Sequence, residues 1–177
     1  MIWLAGMAAL IALQRLSELA LAGRNRQWML AHDAQEFGAG HYILFISLHT
    51  SWFAGWIIEA LWRGPALSNF WYGWLGLFGV AQALRYWCII SLGHNWNTRI
   101  LIIPGDKKIY RGPYRFFRHP NYLAVAVELA CVPLIFDAWI TSITATILNF
   151  WLLLWVRIPA EEEALGQLIL HTRISTK

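Results

Sequence analysis

A chain of 177 residues that is 58% apolar and only 14% charged is too poor in charge for a water-soluble domain, where about a quarter of the residues are charged. Its length suits one compact domain, residues 1–177. The formal charge of +4 is modest, and the concentration of six basic residues from Arg99 to Arg118 suggests an anionic ligand or the anionic lipid surface; no nucleic-acid partner is expected. The two cysteines, Cys88 and Cys131, lie in apolar stretches and form neither a disulfide framework nor a metal-ligand spacing.

In chain order, five segments are apolar over about the length that crosses a bilayer. The first, Ile2 to Ala22, is not preceded by a basic region and has no clear cleavage site, so it is expected to be a retained helix and not a removed signal. It carries Arg15 and Glu18, three apart and able to pair on one helical face. Arg24-Asn25-Arg26-Gln27-Trp28 follows as a basic, amphipathic stretch, expected to lie as a loop along the membrane interface. The second segment, His41 to Trp62, holds Glu59 near its end, within reach of the interface. It also holds His49, and a lone histidine on such a helix reads as a packing group. The third, Phe70 to Leu92, carries Gln82 and Arg85. The fourth and fifth, Tyr122 to Phe136 and Trp139 to Val156, form a tight pair with Asp137 at the turn and a kink expected at Pro133. The fold expected is an all-α membrane bundle of five transmembrane helices. Residues 1–95 form a three-helix lipid-side part. Residues 96–177 supply a basic loop, the hairpin of helices four and five, and an acidic C-terminal segment.

Lys and Arg in the loops set the orientation. The first loop has Arg24 and Arg26, the second only Arg63, and the third six: Arg99, Lys107, Lys108, Arg111, Arg115 and Arg118. The turn between helices four and five has none, and the tail has Arg157, Arg173 and Lys177. Basic loops alternate with poor ones, which puts the N-terminus outside and the C-terminus in the cytoplasm. Twelve Trp and six Tyr supply the rings expected at the two interfaces.

A charge at the bilayer centre costs at least ~2.5 kcal/mol on insertion scales, so Arg15, Glu18, Glu59, Arg85 and Glu128 need partners. Two readings of Arg85 and Glu128 stand open. Either they satisfy each other between helices, or they line a cavity for the polar head of a substrate.

Gly112 to Tyr122 is the stretch most loaded with chemistry. Pro113 and Pro120 limit its freedom, Gly112 permits a close approach, and Arg115 and Arg118 offer cationic forks. A helix starting near Pro120 would present amide donors to a carboxylate. Together these groups suit a ligand with a carboxylate and an aromatic ring. Arg157 and Glu161, four apart, share a helical face on the same side of the membrane. A charged anchor and a solvated helix cap are the plain alternatives. The combination and its tight spacing favour a site.

The pattern Gly112-Pro113-Tyr114, Arg118-His119-Pro120, Tyr122, then a two-helix hairpin, then Arg157, Glu161-Glu162 and Leu165 resembles the isoprenylcysteine carboxyl methyltransferase family over about Asp106 to Leu165. Upstream, Arg15, Glu18-Leu19, Arg24-Asn25, Trp28, Glu36, Gly38, His41-Tyr42, Trp96 and Thr98-Arg99-Ile100 resemble a bacterial subgroup. That subgroup is associated with type III polyketide synthases and methylates alkylpyrones or alkylresorcinols. The resemblance implies an integral membrane methyltransferase using S-adenosylmethionine, and the loop charges place its active site on the cytoplasmic face. It implies cofactor contacts from Tyr114, His119, Pro120, Asn121, Tyr122 and Glu161, and a substrate-facing Arg157. It also implies contacts from the stretch Asp106 to Ile109, hence Lys107, Lys108 and Ile109, although this chain has Asp106 where the family often has His.

The reaction so implied is methyl transfer to oxygen of a lipophilic acceptor: a prenylated cysteine carboxylate, an alkylpyrone enol or an alkylresorcinol phenol. Arg157 and Arg118 are the candidate catalytic cations, and Arg85, Glu128 and Arg157 the candidate substrate contacts. The rival readings are a membrane reductase of the sterol-reductase type, using a nicotinamide cofactor, and a non-enzymatic lipid-binding protein.

Overall fold

The computed structural model describes residues 1–106 and 109–174, with side chains to residue 166. Helix α1 spans Ile2–Leu30, α2 Tyr42–Arg63 and α3 Trp71–Leu92. Helix α4 spans Pro120–Ile135, and α5, Trp139–Leu152, runs through a π turn at Leu153–Arg157 into α6, Ile158–Ile174. Four stretches, Ile2–Leu30, Ala39–Arg63, Trp71–Asn95 and Trp139–Gly166, are long and apolar enough to cross a membrane. The fifth expected span is shorter. Helix α4 has 16 residues, a rise of about 24 Å at 1.5 Å per residue, against a hydrocarbon core of about 30 Å.

To the expected helices the structure adds a small antiparallel ribbon. Strand β1, Gln35–Phe37, pairs with β2, Ile100–Ile102, with Glu36 opposite Leu101. A second difference concerns Arg24 to Trp28. This stretch does not form an interfacial loop but continues α1 to Leu30. The reason is tertiary. Asn25 is buried, and its amide donates to the carbonyls of Gly93 at 3.2 Å and Trp96 at 2.6 Å, so the added turns dock on the end of α3.

Helix α4 lies between α3 and α5, and α2 packs on α5. Trp52, Trp56, Leu129, Val132, Ile135 and Phe136 form the centre of the core. Trp56 stacks on Phe136 at 5.5 Å, and the Trp52 indole donates to the Leu129 carbonyl at 3.0 Å. Glu59 is buried near the end of α2 and pairs with Arg63 at 3.0 Å. Its carboxylate accepts the amides of Ile140 at 3.0 Å and Thr141 at 2.7 Å. It thus caps the start of α5 from a neighbouring helix, satisfying donors that a helix leaves unpaired in its first turn. Asp137 takes the left-handed conformation at the hairpin turn, with φ of 58°.

Three buried charges, Glu18, Arg85 and Glu128, and the half-buried Arg15 tie α1, α3 and α4 together. Arg85 grips Glu18 with two hydrogen bonds of 2.5 Å. Arg15 reaches Glu18 at 3.0 Å and Glu128 at 2.7 Å, and Arg85 meets Glu128 at 3.5 Å. Two cations against two anions leave the cluster neutral. Gln14 extends it by donating to Glu18 at 3.1 Å and to Gln82 at 2.8 Å. Glu128 is thus held by cations from two other helices, whereas Arg85 both joins this cluster and lines the cavity described below.

Candidate active site

The site lies at the end of the bundle where α1 finishes, α2 and α4 begin, and α5 passes into α6. The loop from Arg111 reaches it by a close approach to α3. Gly112 has φ of +60°, and a Cβ there would fall on the Ser91 side chain and against Trp87. Arg111 donates from Nε to the Ser91 carbonyl at 2.5 Å. These contacts seat the short 3-10 turn Gly112–Arg115. Tyr114 is thereby tucked beside Cys88, and burial first, then that thiol and the Glu161 charge, push its phenol pKa up. Tyr114 is therefore a neutral hydroxyl over the physiological range.

Helix α4 starts at Pro120, whose missing N–H is harmless in the first turn. That start brings His119 and Tyr122 into a stack at 5.3 Å with 12° between rings. The Tyr122 hydroxyl is the hub of the site. It donates to Glu161 Oε2 at 2.5 Å and accepts from Arg157 Nε at 3.1 Å. His119 Nδ1 lies 3.8 Å from the same Glu161 oxygen. Arg157 also donates from Nη2 to the Thr98 carbonyl at 3.0 Å. Its guanidinium sits over the Phe45 ring at 5.8 Å, within cation–π range.

Arg157 ends the π turn. Pro159, two residues on, cannot donate an amide, and its ring clashes with the carbonyl four back, so a regular helix is disfavoured there. Such widened turns recur at functional sites.

The ribbon closes this end. Tyr42 Oη lies 3.3 Å from Thr98 Oγ1, and its ring lies 4.2 Å beneath the Arg99 guanidinium. Arg99 pairs with Glu36, which Arg26 also meets at 3.2 Å. Burial works to raise the Glu36 pKa, but hydrogen bonds from Arg99 and then Arg26 prevail and hold it below its ordinary value of 4.5. The folded state then binds fewer protons at this carboxyl than the unfolded state does. The stabilisation is complete above about pH 4.5 and is lost as pH falls through the depressed folded value. Glu36→Gln should remove this part of the acid sensitivity and cost about 1 kcal/mol at pH 7, as for partly exposed charge networks. Thermal unfolding in detergent between pH 3 and 7 measures it. A variant as acid-sensitive as the parent would show that the ribbon does not depend on this charge.

Beneath these groups runs a cavity of about 660 Å³, within the usual range for small-molecule sites. Tyr114, Arg118, His119, Asn121, Tyr122, Arg157 and Glu161 line its head. Phe45, Phe53, Val125 and Leu153 line its length. Leu16, Leu19 and Ile46 also line it yet are 63%, 51% and 44% exposed, so its wall is open between α1 and α2.

Most of the expected site residues therefore converge. Arg118 is exposed at the rim, and Ile109 and Asp106 are on the wall. Pro120 is buried behind the wall, where it starts the helix. Lys107 and Lys108 lie outside the described residues. Arg85 is on the wall, but Glu128 is fully buried within the ion cluster and does not line the cavity. Arg15, His49, Asn149, Trp96 and Thr98 also line the cavity, although the sequence does not single them out as contacts. Only Pro159 could have flagged the π turn that aims Arg157.

The donor set suits S-adenosylmethionine. Glu161 offers a carboxylate to a cation, and the aromatic pair His119 and Tyr122 offers a flat face. Asn121 Oδ1 is a buried acceptor on the wall with no partner of its own, fit for an ammonium or amino group.

Fold and cavity define the class first: a helical integral membrane protein with a cavity polar at its head and apolar along its length. Comparison then supplies the family. Residues 74–167 match the model of the isoprenylcysteine carboxyl methyltransferase (ICMT) family, and the chain belongs to it. It is 39% identical over 167 residues to the uncharacterised protein YpbQ of Bacillus subtilis (strain 168), covering 94% of this chain and 98% of that one. It is 26% identical over 155 residues to an uncharacterised protein of Haemophilus influenzae, covering 87% and 90%. No solved structure matches the chain. Membership of the family points to a membrane methyltransferase.

Proposed function

We propose that the protein is an S-adenosylmethionine-dependent O-methyltransferase acting on a lipophilic acceptor. The observation that carries this is the Tyr122 hydroxyl held between Arg157 and Glu161 at the head of a cavity that opens sideways toward lipid. Such a cavity lets a water-borne cofactor and a membrane-borne acceptor meet without either leaving its own solvent. The acceptor is an alkylpyrone, an alkylresorcinol or a prenylcysteine carboxylate, and the first two would link the enzyme functionally to a type III polyketide synthase. On the loop charges, the N-terminus lies outside, and the site and C-terminus lie on the cytoplasmic side.

Bound S-adenosylmethionine supplies a methyl group already activated on a sulfonium centre. The rest falls to this chain. Glu161 balances the cationic charge of the cofactor, and Asn121, His119 and Tyr122 orient it. Tyr122 Oη holds Glu161 and Arg157 in fixed register, so that anion-binding and cation-binding groups stand side by side. Arg157 steadies the acceptor oxyanion, with Arg118 adding positive potential at the rim. A carboxylate or an acidic enol needs no base. Alignment of nucleophile and methyl group is then the main contribution, and positioning alone can lower a barrier by several kcal/mol.

Titration of the purified protein in detergent with S-adenosylhomocysteine and, separately, NADPH tests the reading. Saturable binding of S-adenosylhomocysteine alone is expected. Binding of NADPH alone would overturn it in favour of a reductase, and binding of neither would favour a lipid-binding role.

A further inference from the structure

The cavity has a second polar station below its head. His49 Nδ1 and Asn149 Nδ2 are buried and lack any hydrogen-bond partner. Asn149 is 1% exposed, and both residues line the cavity. Unpaired buried polar atoms cost about 1–3 kcal/mol each, so a wall among apolar side chains is a poor place for two of them unless something there uses them. Turning the amide of Asn149 would exchange its oxygen and nitrogen but still leave one of them facing the cavity unmet.

Their place follows from the helices. On α2, His49 is one turn beyond Phe45, the ring beneath Arg157, and so about 6 Å deeper along the axis. On α5, Asn149 precedes Leu153 by one turn, and Leu153 precedes Arg157 by the π turn. Both ladders therefore descend from Arg157 into the same cavity. Arg15, Glu18 and Arg85 line it as well and act electrostatically on His49. The carboxylates there are engaged by arginines, so the station lies beside a neutral ion cluster and offers the Asn149 amide together with an imidazole nitrogen that donates or accepts according to its tautomer. It suits a neutral or partly anionic oxygen.

We infer that the acceptor carries a second oxygen on its head, bound by His49 and Asn149, whose places on α2 and α5 lie one to two helical turns deeper than the end of the cavity where Arg157 meets the first oxygen. This rests on the methyltransferase reading and refines its acceptor. A ring with two oxygens spans Arg157 to His49 past Phe45 and Leu153, and its alkyl chain leaves between α1 and α2 along Leu16, Leu19 and Ile46. A simple fatty carboxylate would reach Arg157 but would lay methylenes against both unpaired groups.

Two probes that differ by one oxygen test this: 5-pentadecylresorcinol and 3-pentadecylphenol, titrated into the full-length protein in detergent by tryptophan fluorescence. The parent should bind the resorcinol at least 10-fold more tightly. His49→Phe and Asn149→Leu, which keep bulk and remove the polar atoms, should erase that preference while S-adenosylhomocysteine affinity stays within about 3-fold. Equal affinity of the parent for both probes would overturn the inference, because the pair would then serve a buried water or the fold. So would variants that keep the preference. A parent that binds S-adenosylhomocysteine but neither probe overturns the second-oxygen inference and leaves the methyltransferase reading standing. Failure to bind S-adenosylhomocysteine removes the reading beneath it.

Discussion

Arg157→Ala should lower kcat/KM for methyl transfer by at least 100-fold while leaving S-adenosylhomocysteine affinity within about 3-fold. Holding the acceptor oxygen in line with the methyl group is the effect at stake, and a misplacement of about 1 Å can cost a factor of about 10². Arg157 has the geometry for that role. Its planar fork carries five N–H donors. Two of its nitrogens are engaged, by Tyr122 Oη and by the Thr98 carbonyl, which lock the guanidinium while others remain for a ligand in the cavity. The Phe45 ring on its face and the π turn beneath it restrict it further. A rotating ammonium cannot copy two divergent, in-plane contacts, so Arg157→Lys should recover less than a tenth of the activity. Tyr122→Phe is the companion experiment. It removes the bridge to Glu161 and should weaken cofactor binding and turnover together. Should Arg157→Ala lose both to the same degree, Arg157 would belong to the cofactor and not to the acceptor.

The second large effect concerns stability. Glu128→Leu should destabilise the protein by about 3–5 kcal/mol, the cost of leaving a buried ion pair half broken. Glu128 is fully buried and answers both Arg15 and Arg85. Without it, two guanidinium groups share the one carboxylate of Glu18. At membrane depth, unpaired charge is costly on any scale. Glu128→Gln keeps shape and hydrogen bonding but not charge, and should fall between the parent and Glu128→Leu. The double variant Arg15→Met, Glu128→Leu restores neutrality and should recover at least half of the loss, a non-additivity that a double-mutant cycle reads directly. Denaturant unfolding in detergent, followed by tryptophan fluorescence, supplies the numbers. A Glu128→Leu variant within 1 kcal/mol of the parent would show that water or neighbouring groups solvate the arginines.

Much of the site is legible in the chain because its parts are local. Gly112 to Tyr122 holds Tyr114, His119 and Tyr122 in one short stretch, and Arg157 and Glu161 lie a single turn apart. The pairing of Arg15 with Glu18 is likewise a matter of helical spacing. Glu128 shows the limit of such reasoning. An intramembrane carboxylate is functional or structural according to which groups surround it, and its partners lie 113 residues away on α1 and on α3. The end of α1 is a similar case, because the added turns are held by Asn25 bonding to carbonyls just past the end of α3.

Composition, spacing and loop charge thus determine by themselves the helical membrane class and the stretches that build the head of the cavity. These follow from periodicity and from the cost of charge in lipid, which act along the chain. Only the tertiary structure decides that Tyr122 bridges Arg157 to Glu161, that Glu59 caps α5, and that His49 and Asn149 face one cavity. The first two depend on groups from different helices meeting within about 3 Å, the reach of a hydrogen bond, and the third on how α2 and α5 pack around the cavity. Separation along the chain carries no information about that distance once the helices have packed.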